Sequence, residues 1–162
     1  MPVAVVTGSN KGIGFGIVRA LCKKFEGDVY LTSRDETRGR EAVETLKKEG
    51  LDPKLHVLDI SNEQTVETLR DFMKEKYGGI DVLVNNAGIA FKHDATEPFG
   101  HQARVTLATN YWANKRTCEI LFPVLRPGAR VVNMSSSCGY LGHIGTRGAD
   151  QVGKYQDMWT LT

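Results

Sequence analysis

This sequence predicts an α/β protein built on a doubly wound parallel sheet, and three observations carry that expectation. Short apolar runs recur along the chain, each followed by a stretch with helical periodicity. The first run, Val3-Ala4-Val5-Val6, is apolar at consecutive positions, as in a strand covered by helices on both faces. It passes directly into Thr7-Gly8-Ser9-Asn10-Lys11-Gly12-Ile13-Gly14, a glycine-rich stretch at a strand-to-helix turn. Alternating strands and helices at this spacing form parallel βαβ units with right-handed crossovers. Ligands of such sheets bind beyond the carboxyl ends of the strands.

In chain order, the first strand runs from Val3 to Thr7, and the helix after Lys11 carries Phe15-Gly16-Ile17-Val18-Arg19-Ala20-Leu21. Asp28-Val29-Tyr30-Leu31-Thr32 is the second strand. Ser33 with Glu36 three residues on reads as a capping box, opening a helix that continues to about Lys48 and stops at Gly50. Leu55-His56-Val57-Leu58 is the third strand. Ser61 and Gln64 then repeat the box ahead of an apolar helical face of Val66, Leu69, Phe72 and Met73, and Gly78-Gly79 end that helix. Ile80-Asp81-Val82-Leu83-Val84-Asn85 is the fourth strand. A longer helix is expected from about Gln102, with Tyr111, Asn114, Cys118, Leu121 and Leu125 spaced by threes and fours and Pro123 kinking or ending it. Arg130-Val131-Val132-Asn133-Met134-Ser135 is the fifth strand.

After Ser137 the pattern breaks. Gly139, Gly142, Gly145, Gly148 and Gly153 interrupt every run, and no sixth strand is recognisable before Thr162. The sequence therefore predicts one domain over residues 1–137 and a glycine-rich tail, loop or disordered, over 138–162.

Composition excludes several classes. A chain of 162 residues with 41% apolar and 25% charged residues is an ordinary globular domain, neither disordered nor fibrous. Its net charge of +2 is spread among interspersed acids and bases, which gives no footprint for nucleic acid or an anionic membrane. No apolar run approaches membrane-spanning length, and the N-terminus enters a strand with no basic segment or cleavage site, so a cytoplasmic protein is expected. Cys22, Cys118 and Cys138 form an odd set without metal-type spacing and are read as reduced thiols. His56, His93, His101 and His143 are scattered, so no metal site is expected. Nothing in the sequence sets the oligomeric state.

The glycine-rich turn has a chemical reading. A turn without side chains lets backbone N–H groups approach a pyrophosphate, and the helix that starts there adds the partial positive charge of its first turn. The other candidates also fall at strand ends: Ser33-Arg34 after the second, Asp59 after the third, Asn86 after the fourth and Ser136 after the fifth. Sites for NAD place an acid at the end of the second strand. Here Arg34 stands there with Arg38 one turn further on, and Lys11 in the glycine loop adds a third positive charge, which favours a 2′-phosphate and hence NADP. Asp35 is the acid that would instead serve a ribose hydroxyl.

These residues together resemble the short-chain dehydrogenase/reductase family, and within it the cytosolic NADPH-dependent carbonyl reductases. The likeness covers about Pro2 to Ser137. It rests on Thr7 to Gly14, Asp59-Ile60, Asp81-Val82-Leu83-Val84-Asn85-Asn86-Ala87-Gly88-Ile89-Ala90-Phe91-Lys92, Thr109-Asn110 and Arg130-Val131-Val132-Asn133-Met134-Ser135-Ser136. The resemblance implies a Rossmann-type sheet of which five strands are present here and the C-terminal ones missing. It assigns Gly8, Ser9, Asn10, Lys11, Gly12, Ile13, Gly14, Arg34, Arg38, Asp59, Ile60, Asn86, Ala87 and Gly88 to the cofactor, with Asp59 and Ile60 beside the adenine and Asn86 supporting the ribose and the central sheet. Asn110 is implied to help hold a proton-relay water and Ser136 to hydrogen-bond a substrate carbonyl. The family's general acid is a tyrosine followed four residues later by a lysine, and no such pair follows Ser136. Tyr140 has Ile144 at the lysine place, Tyr155 has Trp159, and Lys154 adjoins Tyr155.

Two functions follow from this pattern. The first is an NADPH-dependent oxidoreductase that reduces ketones, aldehydes or quinones, present here as its cofactor-binding part. The alternative is a catalytically incompetent, truncated relative that holds dinucleotide or a partner protein.

Overall fold

In the computed structural model, which describes residues 1–92 and 94–137, five parallel strands form one sheet in the order β3-β2-β1-β4-β5. The central strand β1 (Val3–Val6) is buried along its whole length. On one side it pairs with β2 (Asp28–Ser33), Val3 opposite Asp28 and Val6 opposite Leu31. On the other it pairs with β4 (Ile80–Asn85), Val5 opposite Leu83. The outer strands are β3 (Lys54–Val57) beside β2 and β5 (Leu125–Asn133) beside β4. Chain order reverses between β1 and β4, so the loops leaving these two strands diverge and open a crevice.

The consecutive apolar residues of β1 serve two cores because successive side chains point to opposite faces. Val3 and Val5 pack with Leu69 and Met73 of α3 (Glu63–Tyr77) and with Ile120 and Leu121 of α5 (Asn114–Leu121). Ala4 and Val6 face the opposite layer, with Val18 of α1 (Gly12–Lys24) and Ala42, Val43 and Leu46 of α2 (Glu36–Lys48). Leu46, Leu69, Leu83 and Leu121 are fully buried, each stabilising the fold by about 2 kcal/mol relative to exposure. The strands therefore hold their carboxyl ends in one rigid row.

The helix boundaries differ from the sequence reading in instructive ways. Ser33 does not cap α2. It is paired in β2 opposite Val57, and Asp35 is the cap, its carboxylate accepting from the backbone N–H of Arg38 at 3.0 Å. Likewise Asn62, not Ser61, caps α3 by accepting from the N–H of Gln64 at 3.2 Å. In both cases an Asx residue nearer the first turn takes the role expected of the serine. Gly78, with φ of 74°, closes α3 in the left-handed conformation.

The long fourth helix begins earlier than expected, as α4 (Phe99–Leu107). It passes through a π-helical turn over Ala108–Ala113 into α5 and ends in a 3₁₀ turn at Phe122–Val124. A π turn adds a residue to the helical repeat and changes the phase of every side chain after it. The buried residues are accordingly Ala113, Thr117, Ile120 and Leu121, while Tyr111 is exposed. Leu125 belongs to β5, which starts five residues before the expected Arg130 and has a register shift against β4 between Ile80 and Val82. The expected tail over 138–162 lies outside the described residues.

Among the described residues no helix is long and apolar enough to cross a membrane, and no group of three His, Cys, Asp or Glu side chains could hold a metal ion.

Candidate functional site

At the carboxyl ends of β1 to β4 lies a cleft of about 450 Å³. It is lined by Gly8 and Asn10 to Gly14, by Ser33 to Asp35 with Arg38, by Leu58 to Ser61, and by Asn86 to Ile89 with Thr109. Four strand ends thus contribute to a single elongated site that runs across the sheet from β3 to β4.

The three glycines of the first loop do different things. Gly12 has φ of +61°, and a Cβ built on it meets nothing within 4 Å, so its open side is left for a ligand. Gly8, with φ of +59°, lies where a Cβ would stand 2.8 Å from Ala87 Cα. Gly14 has ordinary φ, but its Cβ would collide with the side-chain amide of Asn86 and stand 2.9 Å from Ser9 Cα. Two of the three glycines therefore line the cleft and also make room for the loop after β4. Ile13, 69% exposed in the first turn of α1, presents an apolar side chain to the cleft.

Asn86 and Thr7 bind the two loops together. The amide of Asn86 donates to the carbonyls of Thr7 at 2.9 Å and Gly8 at 3.0 Å. In return the Thr7 hydroxyl accepts from the backbone N–H groups of Asn86 and Ala87, each at 3.0 Å. Thr7, absent from the sequence-derived candidates, is fully buried and is the hub of this junction. Its signal was a hydroxyl residue at the end of an otherwise apolar strand. Ser9 is also fully buried, its hydroxyl donating to Val6 O at 2.7 Å and accepting from Thr32 N at 2.9 Å, so its side chain braces β1 against β2 and does not line the cleft.

Beyond β2 the site is basic. Lys11, Arg34 and Arg38 are exposed at its edge. The Asp35 carboxylate accepts the capping N–H of Arg38 and also pairs with the Arg38 guanidinium at 3.1 Å. It is committed to the helix and to an arginine. Beyond β3, Ile60 lies in the core cluster while lining the cleft, and Asp59 accepts from the N–H of Ser61 at 2.9 Å.

Past β4, Asn110 pairs with the backbone of Ile89 like a strand edge. Its Oδ1 accepts from Ile89 N and its Nδ2 donates to Ile89 O, both at 2.8 Å. Gly88 is the neighbour that makes room, since a Cβ there would stand 3.2 Å from Asn110 Oδ1. Ser136 is exposed just after β5, whose end is held to β4 by the bond from Met134 N to Asn85 O at 2.9 Å. Beneath this junction the Asn85 amide donates to Asn133 Oδ1 at 2.8 Å and to Cys118 Sγ at 3.2 Å, and burial pushes the Cys118 thiol up from its ordinary value. Tyr140, Lys154 and Tyr155 lie outside the described residues.

A tyrosine with a lysine four residues on does occur before Ser136, as Tyr111 and Lys115 on the long helix. Lys115 is ion-paired with Glu119, which raises its pKa, and Tyr111 packs edge-on against Trp112 with ring centres 4.8 Å apart. Lys115 is thus engaged chiefly by the Glu119 carboxylate.

A model of the short chain dehydrogenase family matches residues 2–147. Carbonyl reductase (NADPH) 3 of Rattus norvegicus is 58% identical over 137 residues, which are 85% of this chain and 50% of the relative. Carbonyl reductase (NADPH) 1 of Homo sapiens is 56% identical over 134 residues, 83% of this chain and 48% of the relative. The chain thus spans about half the length of the curated relatives it matches. Among solved structures, salutaridine reductase from Papaver somniferum superposes with a TM-score of 0.83 at 33% identity, covering 100% of this chain and 66% of that one. L-sorbose reductase from Gluconobacter frateurii, in complex with NADPH and L-sorbose, gives 0.71 at 29% identity, covering 85% and 53%.

Proposed function

Because this chain belongs to the short chain dehydrogenase family, we propose that its cleft binds NADPH and that it is the cofactor-binding part of a cytosolic reductase of carbonyl compounds. The observation that carries the choice of cofactor is the basic edge beyond β2. Lys11 and Arg34 stand there beside Arg38, and the nearby acid, Asp35, is already committed to the cap and to Arg38. A 2′-phosphate meets guanidinium and ammonium groups there, whereas a bare ribose finds no uncommitted carboxylate at the end of β2. The site's open backbone at Gly12 and the exposed Ile13 fit a pyrophosphate followed by a less polar ring.

NADPH supplies the hydride in this reading. The chain's own groups bind and orient: Asn86, Ala87 and Gly88 form the wall beyond the pyrophosphate, Asp59 and Ile60 flank the adenine, and Asn110 helps hold a water for proton transfer. Ser136 donates its hydroxyl hydrogen to the substrate carbonyl oxygen, where negative charge builds as hydride arrives. A second reading is a family member that binds dinucleotide or a partner without chemistry; the tyrosine–lysine spacing held by the described residues, Tyr111 and Lys115, has its lysine ion-paired with Glu119.

The test is a fluorescence titration of the chain with NADPH and NADH. NADPH should bind more tightly, and Arg34→Asp should weaken it by about 2 kcal/mol, roughly thirtyfold, while affecting NADH less. Coincident curves for the two cofactors in the unmodified chain would overturn the proposal.

A further inference from the structure

Where the π turn meets α5, Asn114 makes a set of bonds that no role assigned above uses. Its backbone N–H donates to Tyr111 O, three residues back, and so is turned away from the carbonyl of Asn110, four back. The side-chain amide turns back to carbonyls of the same helix. Asn114 Nδ2 lies 3.2 Å from Asn110 O and 3.3 Å from Thr109 O. Its shortest bond leaves the helix altogether and reaches Ala87 O at 3.0 Å. Two N–H groups thus serve three carbonyl oxygens, one of them on the wall of the cleft.

The opposite end of the same amide is just as informative. Asn114 Oδ1 is buried and has no hydrogen-bond partner among the described residues. An orphaned buried acceptor is destabilising, yet turning the amide over would set an oxygen against three oxygens. The three carbonyls therefore dictate the orientation. Asn110, one turn earlier, grips Ile89 from the same helix. Two asparagines four residues apart thus hold both ends of the strip Ala87–Ile89, which lines the cleft at the end of β4, two strands from Arg34 at the end of β2.

Resting on the reading of the cleft as an NADPH site, we infer that Asn114 is a positioning residue for its dihydronicotinamide half. It acts through Ala87 O, which sets the wall of the cleft, and through Asn110 O, which it keeps aimed while the Asn110 side chain is occupied by Ile89. Removing its donor releases that wall and leaves the adenosine half, built on β1, β2 and α2, in place.

The experiment compares two ligands on the full chain and its Asn114→Ala and Asn114→Asp variants. NADPH spans the whole cleft, and adenosine 2′,5′-bisphosphate occupies its adenosine half. Asn114→Ala should weaken NADPH about fivefold, and Asn114→Asp, which sets a carboxylate against three carbonyls, about thirtyfold or more. Affinity for the bisphosphate should change by less than about twofold in either. The emission of bound NADPH, which reports how firmly its reduced ring is held, should move toward that of free NADPH in both variants. A residue that only supports the fold would weaken both ligands alike, so parallel losses overturn the inference, as does unchanged NADPH binding and emission. If Asn114→Asp does not fold, Asn114→Ala decides. If the unmodified chain binds the bisphosphate but not NADPH, the inference fails alone. If it binds neither, the cofactor reading falls and the inference with it.

Discussion

A single methyl group separates the glycines of the first loop by function. Gly14→Ala would drive a Cβ into the Asn86 amide, which bonds Thr7 O and Gly8 O, so the junction between the loops after β1 and β4 must open. We expect a loss of about 2 kcal/mol or more, read as a lower midpoint in urea unfolding, together with loss of NADPH binding. Gly16→Ala is the control, for a Cβ there meets nothing within 4 Å and φ is not positive. In the interior of α1 it should stabilise by about 0.5–1 kcal/mol. His56 gives a pH signature of its own. It is half-buried against Phe72, ring centres 5.2 Å apart, and burial lowers its pKa from the ordinary 6.5. A histidine depressed in the folded state favours folding least when charged, so stability is full above pH 6.5 and falls as pH drops below it. Urea midpoints measured over that range should decline less steeply in His56→Gln. Equal slopes would remove His56 as the cause.

Helix α2 is the element on which two readings of one residue can be separated. If Asp35 is a cap, Asp35→Ala should cost about 1 kcal/mol in thermal unfolding and leave NADPH affinity unchanged or higher, because a carboxylate beside the phosphate is removed. If it served a ribose hydroxyl, NADH affinity would collapse instead. The location of this helix was legible from the run between Ser33 and Gly50, but its cap was not. Ser33 follows the serine-to-glutamate spacing, yet its carbonyl accepts from Leu58 N at 2.9 Å in the sheet and its hydroxyl is taken by the backbone of Asp35, so it does not reach the N–H groups of the helix. The π turn at Ala108–Ala113 was less legible still. Spacing by threes and fours assumes a constant period, and one extra residue moved Tyr111 to the surface and placed Ala113 and Thr117 in the core.

For the whole molecule, the separation between binding and chemistry is the property to test. On the reading proposed above, these 162 residues taken alone carry no tyrosine–lysine pair after Ser136, and an alkoxide protonated by water would sacrifice roughly two to four orders of magnitude. We expect the 162-residue chain to oxidise NADPH with a reactive quinone at close to the uncatalysed rate, and Ser136→Ala, Tyr155→Phe and Tyr111→Phe to change nothing. Turnover that falls on Tyr111→Phe would identify the helix tyrosine as an acid, and turnover that falls on Tyr155→Phe would identify the other. The edge of the sheet offers a second measurement. Val131 and Val132 of β5 are exposed, and among the described residues β5 pairs only with β4. Concentration-dependent association should appear in sedimentation and weaken in Val132→Lys. A monomer at all concentrations would count against it.

By itself the sequence determined the sheet, its parallel sense and the row of candidates along its carboxyl ends, because apolar runs, glycine turns and the strand–helix alternation are local signals repeated five times. It also determined the basic edge at Arg34 and Arg38, since position after β2 was enough. Only the tertiary structure decided which glycine has open space beside it and which face Asn86 and Ala87, that Asp35 is committed, and that Thr7, Asn110 and Asn114 lock the cleft wall from strand and helix. Apart from the Asp35 cap, whose partner Arg38 is three residues on, each of these is a contact between residues 20 to 80 positions apart or a shift of helical phase. Local periodicity carries no information about either, because the partner that fixes the side chain arrives only when the two layers close on the sheet.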